Sequence, residues 1–371
     1  MRILEVSFRN PYKEGSGGLE SYIYGLSNYL TSVGVDVKVI YCGTSQNINE
    51  KYSKNTVCVN IPKIIAYFKL DKMYYNLKLF FYLTKNKKLY DIIHINGDNG
   101  TYIPYVKGIK TIMTLHGSMA EFSNLTTKTH GYKKFISLLS DRYLGFTEEI
   151  ACKKSNSVIA VSSHIKNYFE KLTGRNDIIL INTCICPDHN NEINPNLKSK
   201  LLQYKKDNNL LCLWVGKDPK RKGLDIAKNL VVKLENVFLF TVGYIDPVKT
   251  HNVQNLGIVS DKDLITLYRY CDIFIFPTVY EGFSIALLEA MSYGLVPLTF
   301  SIPSTMELIL NKNNGYLCAN EDEMLKILND LNRHRESLIN LRKNAVECSR
   351  NYYCDKLYPE VYNVMKQQIL D

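Results

Sequence analysis

An α/β fold with two parallel sheets is what this chain predicts, on three observations. Short β-branched and apolar runs alternate with stretches of helical period, which calls for parallel strands joined by crossover helices. The alternation runs twice, once on each side of the Asn- and Lys-rich segment 188–209. At 371 residues the chain is also long for a single core, whereas two domains of this kind fit.

Taken in order, MRILEVSF opens with an apolar run that predicts a strand at 3–8. It lacks the long apolar region and cleavage site of a signal peptide. Gly15, Gly17 and Gly18 form a turn ahead of a helix at 19–33. Strands follow at 35–42, 91–95, 111–116, 157–161 and 178–181, with a helix at 163–172. The second series predicts strands at 211–215, 237–242, 272–277 and 296–300, and helices at 223–234, 261–270 and 284–293. NYYCDKLYPEVYNVMKQQIL reads as a last helix. The expected division is 1–187, 188–350 and 351–371: two Rossmann-like domains and a closing helix.

Composition narrows the function classes. The formal net charge of +10, from 46 basic and 36 acidic residues, suits an anionic ligand or surface. No CxxC pair occurs among the ten cysteines, and Cys184 and Cys186 form only a C-x-C, so all are expected as reduced thiols of a cytoplasmic protein. No HExxH and no convincing metal motif occurs; Asp261-Lys262-Asp263 reads as a helix start. No apolar run approaches the roughly 20 residues of a membrane span. The G-x-G of Gly15 and Gly17 lacks its third glycine, since position 20 is Glu20, which argues against a nicotinamide or flavin site. No cofactor is expected.

The richest chemistry lies in EGFSIALLEAMSYG, behind the run CDIFIFPTVY. Glu281 falls in the turn after a strand, Ser284 is a candidate N-cap, and Glu289 lies in the helix. Eight helical residues rise about 12 Å. That span suits a ligand with hydroxyls at both ends and an anionic middle, which the free N–H groups at the helix start would meet. Glu281 beside a helix start and a solvated mid-helix Glu289 remain the plain alternative. LWVGKDPKRKGLDIA sets Lys217, Lys220, Arg221 and Lys222 at another helix start. Cations there oppose the helix dipole and make sense if an anion binds, a solvated basic loop being the alternative.

The Gly17–Gly18 turn, the strand TIMTLH ending in His116, the V-S-S of Ser162 and Ser163, the G-K…K-G segment, and the E-x7-E pattern with E-A-M-x-x-G resemble, in this order, the retaining glycosyltransferases of the GT-B fold, family 4. The resemblance implies two facing Rossmann-like domains with a central cleft and a C-terminal helix crossing back to the first. It implies metal-independent, retaining transfer from a nucleotide diphosphate sugar to a glycan or lipid-linked acceptor, in surface polysaccharide or glycolipid assembly. By resemblance Glu281, Lys222, Lys217 and His116 serve the reaction. Gly17, Gly18, Arg221, Gly282, Phe283, Ser284, Ile285, Ala286 and Glu289 bind substrate. Lys217 stands where the family has arginine, and lysine lacks the bidentate fork. Glu281 would hold sugar hydroxyls, Glu289 the ribose, and Lys217 and Lys222 the leaving diphosphate.

Residues 61–90 interleave lysines with aromatic residues. They read either as a crossover helix with a wet lysine face or as a segment lying on an anionic membrane, which would place the protein at the inner face of the cell membrane. No nucleic-acid-binding module accompanies them. A non-catalytic nucleotide-sugar-binding subunit, and an epimerase or phosphorylase on the same scaffold, are the competing functions.

Overall fold

The computed structural model describes residues 1–13, 17–43, 55–62, 65, 70–125, 132–187, 192–245 and 251–370. The chain forms two compact units. Unit 1 comprises Met1–Thr183 and Cys354–Asp371, and unit 2 comprises Cys184–Tyr353.

Unit 1 is built on seven parallel strands: β1 (Arg2–Val6), β2 (Asp36–Cys42), β3 (Thr56–Val59), β4 (Ile92–Asn96), β5 (Lys110–Leu115), β6 (Ser157–Ala160) and β7 (Ile179–Leu180), in the order β3-β2-β1-β4-β5-β6-β7. Helices α1 (Gly18–Ser32), α2 (Asp71–Asn86), α3 (Met119–Leu125), α4 (Tyr132–Lys154) and α5 (Ser163–Thr173) join them. β4 is buried at every position, as a strand covered on both faces must be. Leu4, Val6, Ile93, Ile95, Met113 and Leu115 meet Tyr75, Leu79 and Leu83 of α2 in one core. α5 starts where its chemistry asks: Ser162 Oγ accepts from Ile165 N at 3.2 Å, and Gly174 closes the helix at φ +76°.

Unit 2 has six parallel strands: β8 (Leu210–Val215), β9 (Val237–Val242), β10 (Val253–Gly257), β11 (Ile273–Phe276), β12 (Val296–Phe300) and β13 (Tyr316–Cys318), in the order β10-β9-β8-β11-β12-β13. Its helices are α6 (Pro195–Lys206), α7 (Leu224–Val231), α8 (Asp261–Tyr270), α9 (Ile285–Ser292), α10 (Pro303–Met306), α11 (Glu321–Arg333) and α12 (Leu338–Ser349). β8 and β11 sit mid-sheet, with Trp214, Cys212, Ile273 and Ile275 fully buried. The two ends of this unit lie side by side: Ile185 N donates to Tyr352 O at 2.9 Å. The last helix, α13 (Cys354–Leu370), belongs to unit 1, where its Tyr358 ring packs against Tyr22 and Tyr29 of α1.

Two expectations are corrected. Segment 188–209 is not all connection, because α6 occupies much of it, capped by Asn194 Oδ1 accepting from Leu197 N at 3.2 Å with Pro195 at its first position. Not every cysteine is a free thiol: Cys186 and Cys354 are disulfide-bonded. The other eight cysteines lie outside disulfides. Their two partnered relatives carry no spacing signal that a sequence reading could use.

Candidate functional site

In unit 2 the strand order reverses between β8 and β11, and the loops leaving their carboxyl ends bound the crevice where ligands of open α/β sheets bind. The two loops are stitched together. Gly223 sits at φ +66°, and a Cβ there would fall 2.4 Å from Pro277 O, so only glycine lets α7 start this close to the end of β11. Val279 N donates to Arg221 O at 3.1 Å. The single tryptophan, Trp214, donates its indole N–H to Lys222 O at 2.9 Å.

This stitching joins residues that are 60 positions apart. Arg221 Nη1 donates to Glu281 Oε1 at 2.7 Å and to Tyr280 O at 2.6 Å, while its Nε reaches Asp218 Oδ2 at 3.3 Å. Lys222 Nζ lies 3.5 Å from Glu281 Oε1 and 4.8 Å from the centre of the Phe276 ring. Its stem runs past Gly216, where a Cβ would fall 2.5 Å from Lys222 Cδ. Lys217 is exposed on the same loop. Glu281 is thus a largely buried carboxylate facing two cations.

Glu289 sits one helical span away on α9. Its Oε2 accepts from Tyr268 Oη at 3.1 Å. Burial pushes its carboxyl up to about 7; the Tyr268 bond opposes this, Asp261 adds to it, and Lys222 opposes it. Between the two glutamates, Ser284 caps α9, its Oγ accepting from Leu287 N at 3.4 Å. The first intrahelical bond is Leu288 N to Ser284 O, so the N–H groups of Ile285 and Ala286 precede the ladder. Gly282 is buried, and Phe283 is buried with its ring against Tyr352 at 5.5 Å. Asp261–Lys262–Asp263 starts α8 under a Ser260 cap. Among the described residues, no three His, Cys, Asp or Glu side chains are grouped to hold a metal ion.

In unit 1 the order reverses between β1 and β4. Gly17 is the N-cap of α1 and Gly18 its first residue. A Cβ at position 17 would fall 2.5 Å from Glu20 Oε2, so glycine lets the buried Glu20 carboxylate close on the turn. Gly15 and Ser16 lie outside the described residues. His116 follows β5; its Nε2 lies 3.1 Å from Asn96 Oδ1, and its ring meets Tyr22 edge-on at 4.9 Å. Burial, with a contribution from His94, pushes the imidazole down to about 3.

Sequence reasoning missed Tyr268, which holds Glu289, and Asn96, which holds His116. Nothing in the sequence singles out Tyr268. The turn-rich run Asn96–Gly100 behind a strand is a signal that could have drawn attention to Asn96.

In the basic and aromatic stretch, Lys63, Tyr67, Phe68 and Lys69 lie outside the described residues. α2 buries Tyr75, Asn76, Leu79 and Leu83 against the sheet. Its opposite side exposes Leu77 and Phe81 (45% and 55%) together with Lys78 and Lys85. No helix among the described residues is long and apolar enough to cross a membrane.

Two parallel α/β units, with carboxylates and cations gathered at a switch point, are the arrangement expected of a GT-B glycosyltransferase, and two family models match the chain as such. Residues 16–189 match the model of Glycosyltransferase Family 4, and residues 200–348 match that of Glycosyl transferases group 1. The chain belongs to this family 4 group. It is 21% identical to an uncharacterised glycosyltransferase of Methanocaldococcus jannaschii, over 99% of this chain and 98% of that one. It is 31% identical to the lipopolysaccharide glucosyltransferase WaaG of Escherichia coli over 160 residues, 40% of this chain and 42% of that one. The solved structure of Anabaena HepE with UDP-glucose superposes with a TM-score of 0.75 at 17% identity, covering 99% and 100% of the two chains.

Proposed function

We propose that this glycosyltransferase moves a sugar, with retention of configuration and without a metal, from a nucleotide diphosphate sugar to a glycan or lipid-linked acceptor in surface polysaccharide or glycolipid assembly. One observation carries the reading: Glu281 faces Lys222 and Arg221 at one end of a capped helix start, and Glu289 waits on the same helix. The free N–H groups of Ile285 and Ala286 and the Lys222 ammonium suit a diphosphate, whose charge grows as the glycosidic bond breaks. Lys217, on the same loop, adds to that field. Glu281 then binds sugar hydroxyls and Glu289 the ribose diol. Arg221, already committed to Glu281, Tyr280 O and Asp218, holds Glu281 in place. Unit 2 is the nucleotide-sugar-binding domain and unit 1 the acceptor domain. His116 and the Gly17–Gly18 turn of unit 1 serve the sugar and the acceptor, as the family resemblance implies. Retention follows if a donor phosphate oxygen takes the acceptor proton on the face the leaving group vacates. HepE, seen with UDP-glucose, and WaaG, a lipopolysaccharide enzyme, support the donor and acceptor classes.

The protein works at the inner face of the cell membrane, with the exposed Leu77, Phe81, Lys78 and Lys85 of α2 against anionic lipid. Flotation with vesicles of phosphatidylcholine, alone or with phosphatidylglycerol, tests this; equal absence from both floating fractions refutes it.

Thermal shift against a panel of nucleotide sugars selects the donor. With that donor, Glu289→Ala weakens binding, whereas Glu281→Ala mainly slows transfer. Unchanged kinetics in both variants, at saturating and subsaturating donor, would reject the assignment.

A further inference from the structure

Three neighbouring strands of unit 1 carry a polar row inside the core. Glu5 on β1, His94 and Asn96 on β4, and Thr114 on β5 are all fully buried, and the register pairs Glu5 with His94 and Asn96 with Thr114. Polar groups shut away from water persist when they satisfy one another, and these do. His94 Nδ1 lies 2.9 Å from both Glu5 oxygens, and its Nε2 lies 2.7 Å from Thr114 Oγ1.

The row ends at His116, and it dictates where that ring carries its hydrogen. Asn96 Nδ2 donates to Glu5 Oε2 and to Val6 O, both at 3.2 Å. A backbone carbonyl can only accept, so the amide nitrogen must lie on that side and the amide oxygen on the other. That oxygen, Oδ1, is the atom 3.1 Å from His116 Nε2. It too can only accept, so Nε2 bears the hydrogen. A neutral imidazole has one N–H, which leaves Nδ1 with a lone pair. Among the described residues Nδ1 makes no hydrogen bond, and the Tyr22 edge contact holds the ring plane.

We infer that Asn96 is a positioning residue for the transfer reaction: oriented by Glu5 and Val6 O, its amide holds His116 as the Nε2–H tautomer, so that Nδ1 accepts a hydrogen bond from a ligand hydroxyl. The inference deepens the proposed function and rests on its assignment of His116 to the sugar. Its chemical content is selective. A ring presenting only a lone pair welcomes a group that donates, such as a sugar hydroxyl. It repels a phosphate or carboxylate oxygen, which can only accept. It also makes His116 a reader of hydroxyls and not a proton donor.

Long-range ¹H–¹⁵N correlation spectra of the full chain, labelled at histidine nitrogens, report each tautomer directly at neutral pH. The His116 signals are assigned by their loss in His116→Asn. The expected wild-type pattern is a protonated Nε2 with a bare Nδ1. In Asn96→Leu the ring loses its acceptor and the Nδ1–H form becomes populated. A wild-type ring protonated at Nδ1, or at both nitrogens, overturns the inference whether or not the variant folds. So does an unchanged tautomer in a folded Asn96→Leu. Titration with the nucleotide sugar that binds separates the two claims. A bare Nδ1 signal that moves on binding supports both. An Nε2–H ring whose signals stay still leaves the tautomer assignment standing and removes His116 from the sugar site.

Discussion

Lowering the pH from 8 to 6 should weaken donor binding about tenfold through Glu289 alone. Its carboxyl is raised to about 7 by burial, and the proposed contact with the ribose diol needs the ionised form. At pH 8 about nine-tenths of the carboxyl is ionised, and at pH 6 about one-tenth, so the apparent affinity follows that fraction. A nucleotide diphosphate sugar keeps both phosphate charges throughout this range, and His116, pushed down to about 3, stays neutral. Glu289→Gln keeps the side-chain shape but cannot ionise. It should bind roughly 10- to 100-fold more weakly at pH 8, the loss of one charged hydrogen-bonding group, and show no such pH dependence. The sign for stability runs the other way. An acid raised on folding binds more protons in the native state between pH 4.5 and about 7, so its contribution falls as the pH rises. Without ligand, Glu289→Gln should therefore raise Tm more at pH 8 than at pH 5. Isothermal titration calorimetry at pH 6, 7 and 8, in buffers of different protonation enthalpy, gives both affinity and proton release. Equal wild-type affinity at pH 6 and 8, or the same slope in Glu289→Gln, would refute the reasoning.

Gly223→Ala puts a Cβ 2.4 Å from Pro277 O at a positive φ, so it should cost about 1–3 kcal/mol and lower Tm by several degrees; an unchanged melting curve counts against the close approach. Arg221→Met should slow transfer by about 10- to 100-fold while leaving donor affinity nearly intact, because the guanidinium holds Glu281. A parallel loss of affinity in a kinetic assay would instead put Arg221 on the diphosphate. The lone Trp214, fully buried and bonded to Lys222 O, should change its fluorescence as donor binds, with a midpoint matching calorimetry; a silent Trp214 would mean that the Lys222 loop does not respond.

Much of the architecture can be read in the residues, and the losses have physical reasons. β9 and β12 fall at the predicted bounds because they are predominantly apolar and almost wholly buried. β3 and β10 escaped notice because edge strands are only half covered and need no apolar run. α6 was hidden by its Asn and Lys content, although Asn194-Pro195 is a start signal in its own right. α11 and α12 were also passed over, despite the acidic first turn of α11. The spacing of Glu281 and Glu289 and the helix cap between them were visible, being local. The Arg221–Glu281 pair was not, since a contact across 60 residues depends on Gly223 reaching Pro277. The Glu5–His94–Asn96–His116 row depends on strand register, which one sequence does not state.

Unit 2 is a single stretch of chain whose ends adjoin, whereas unit 1 is completed only by α13. On the ribosome, all of unit 2 has been made while unit 1 still lacks its final helix. The second unit can therefore mature first, and the earlier-made half must wait for Tyr358 to complete the ring contacts of Tyr22 and Tyr29. A stop codon just ahead of Cys354 would wound the half of the protein that was synthesised earliest.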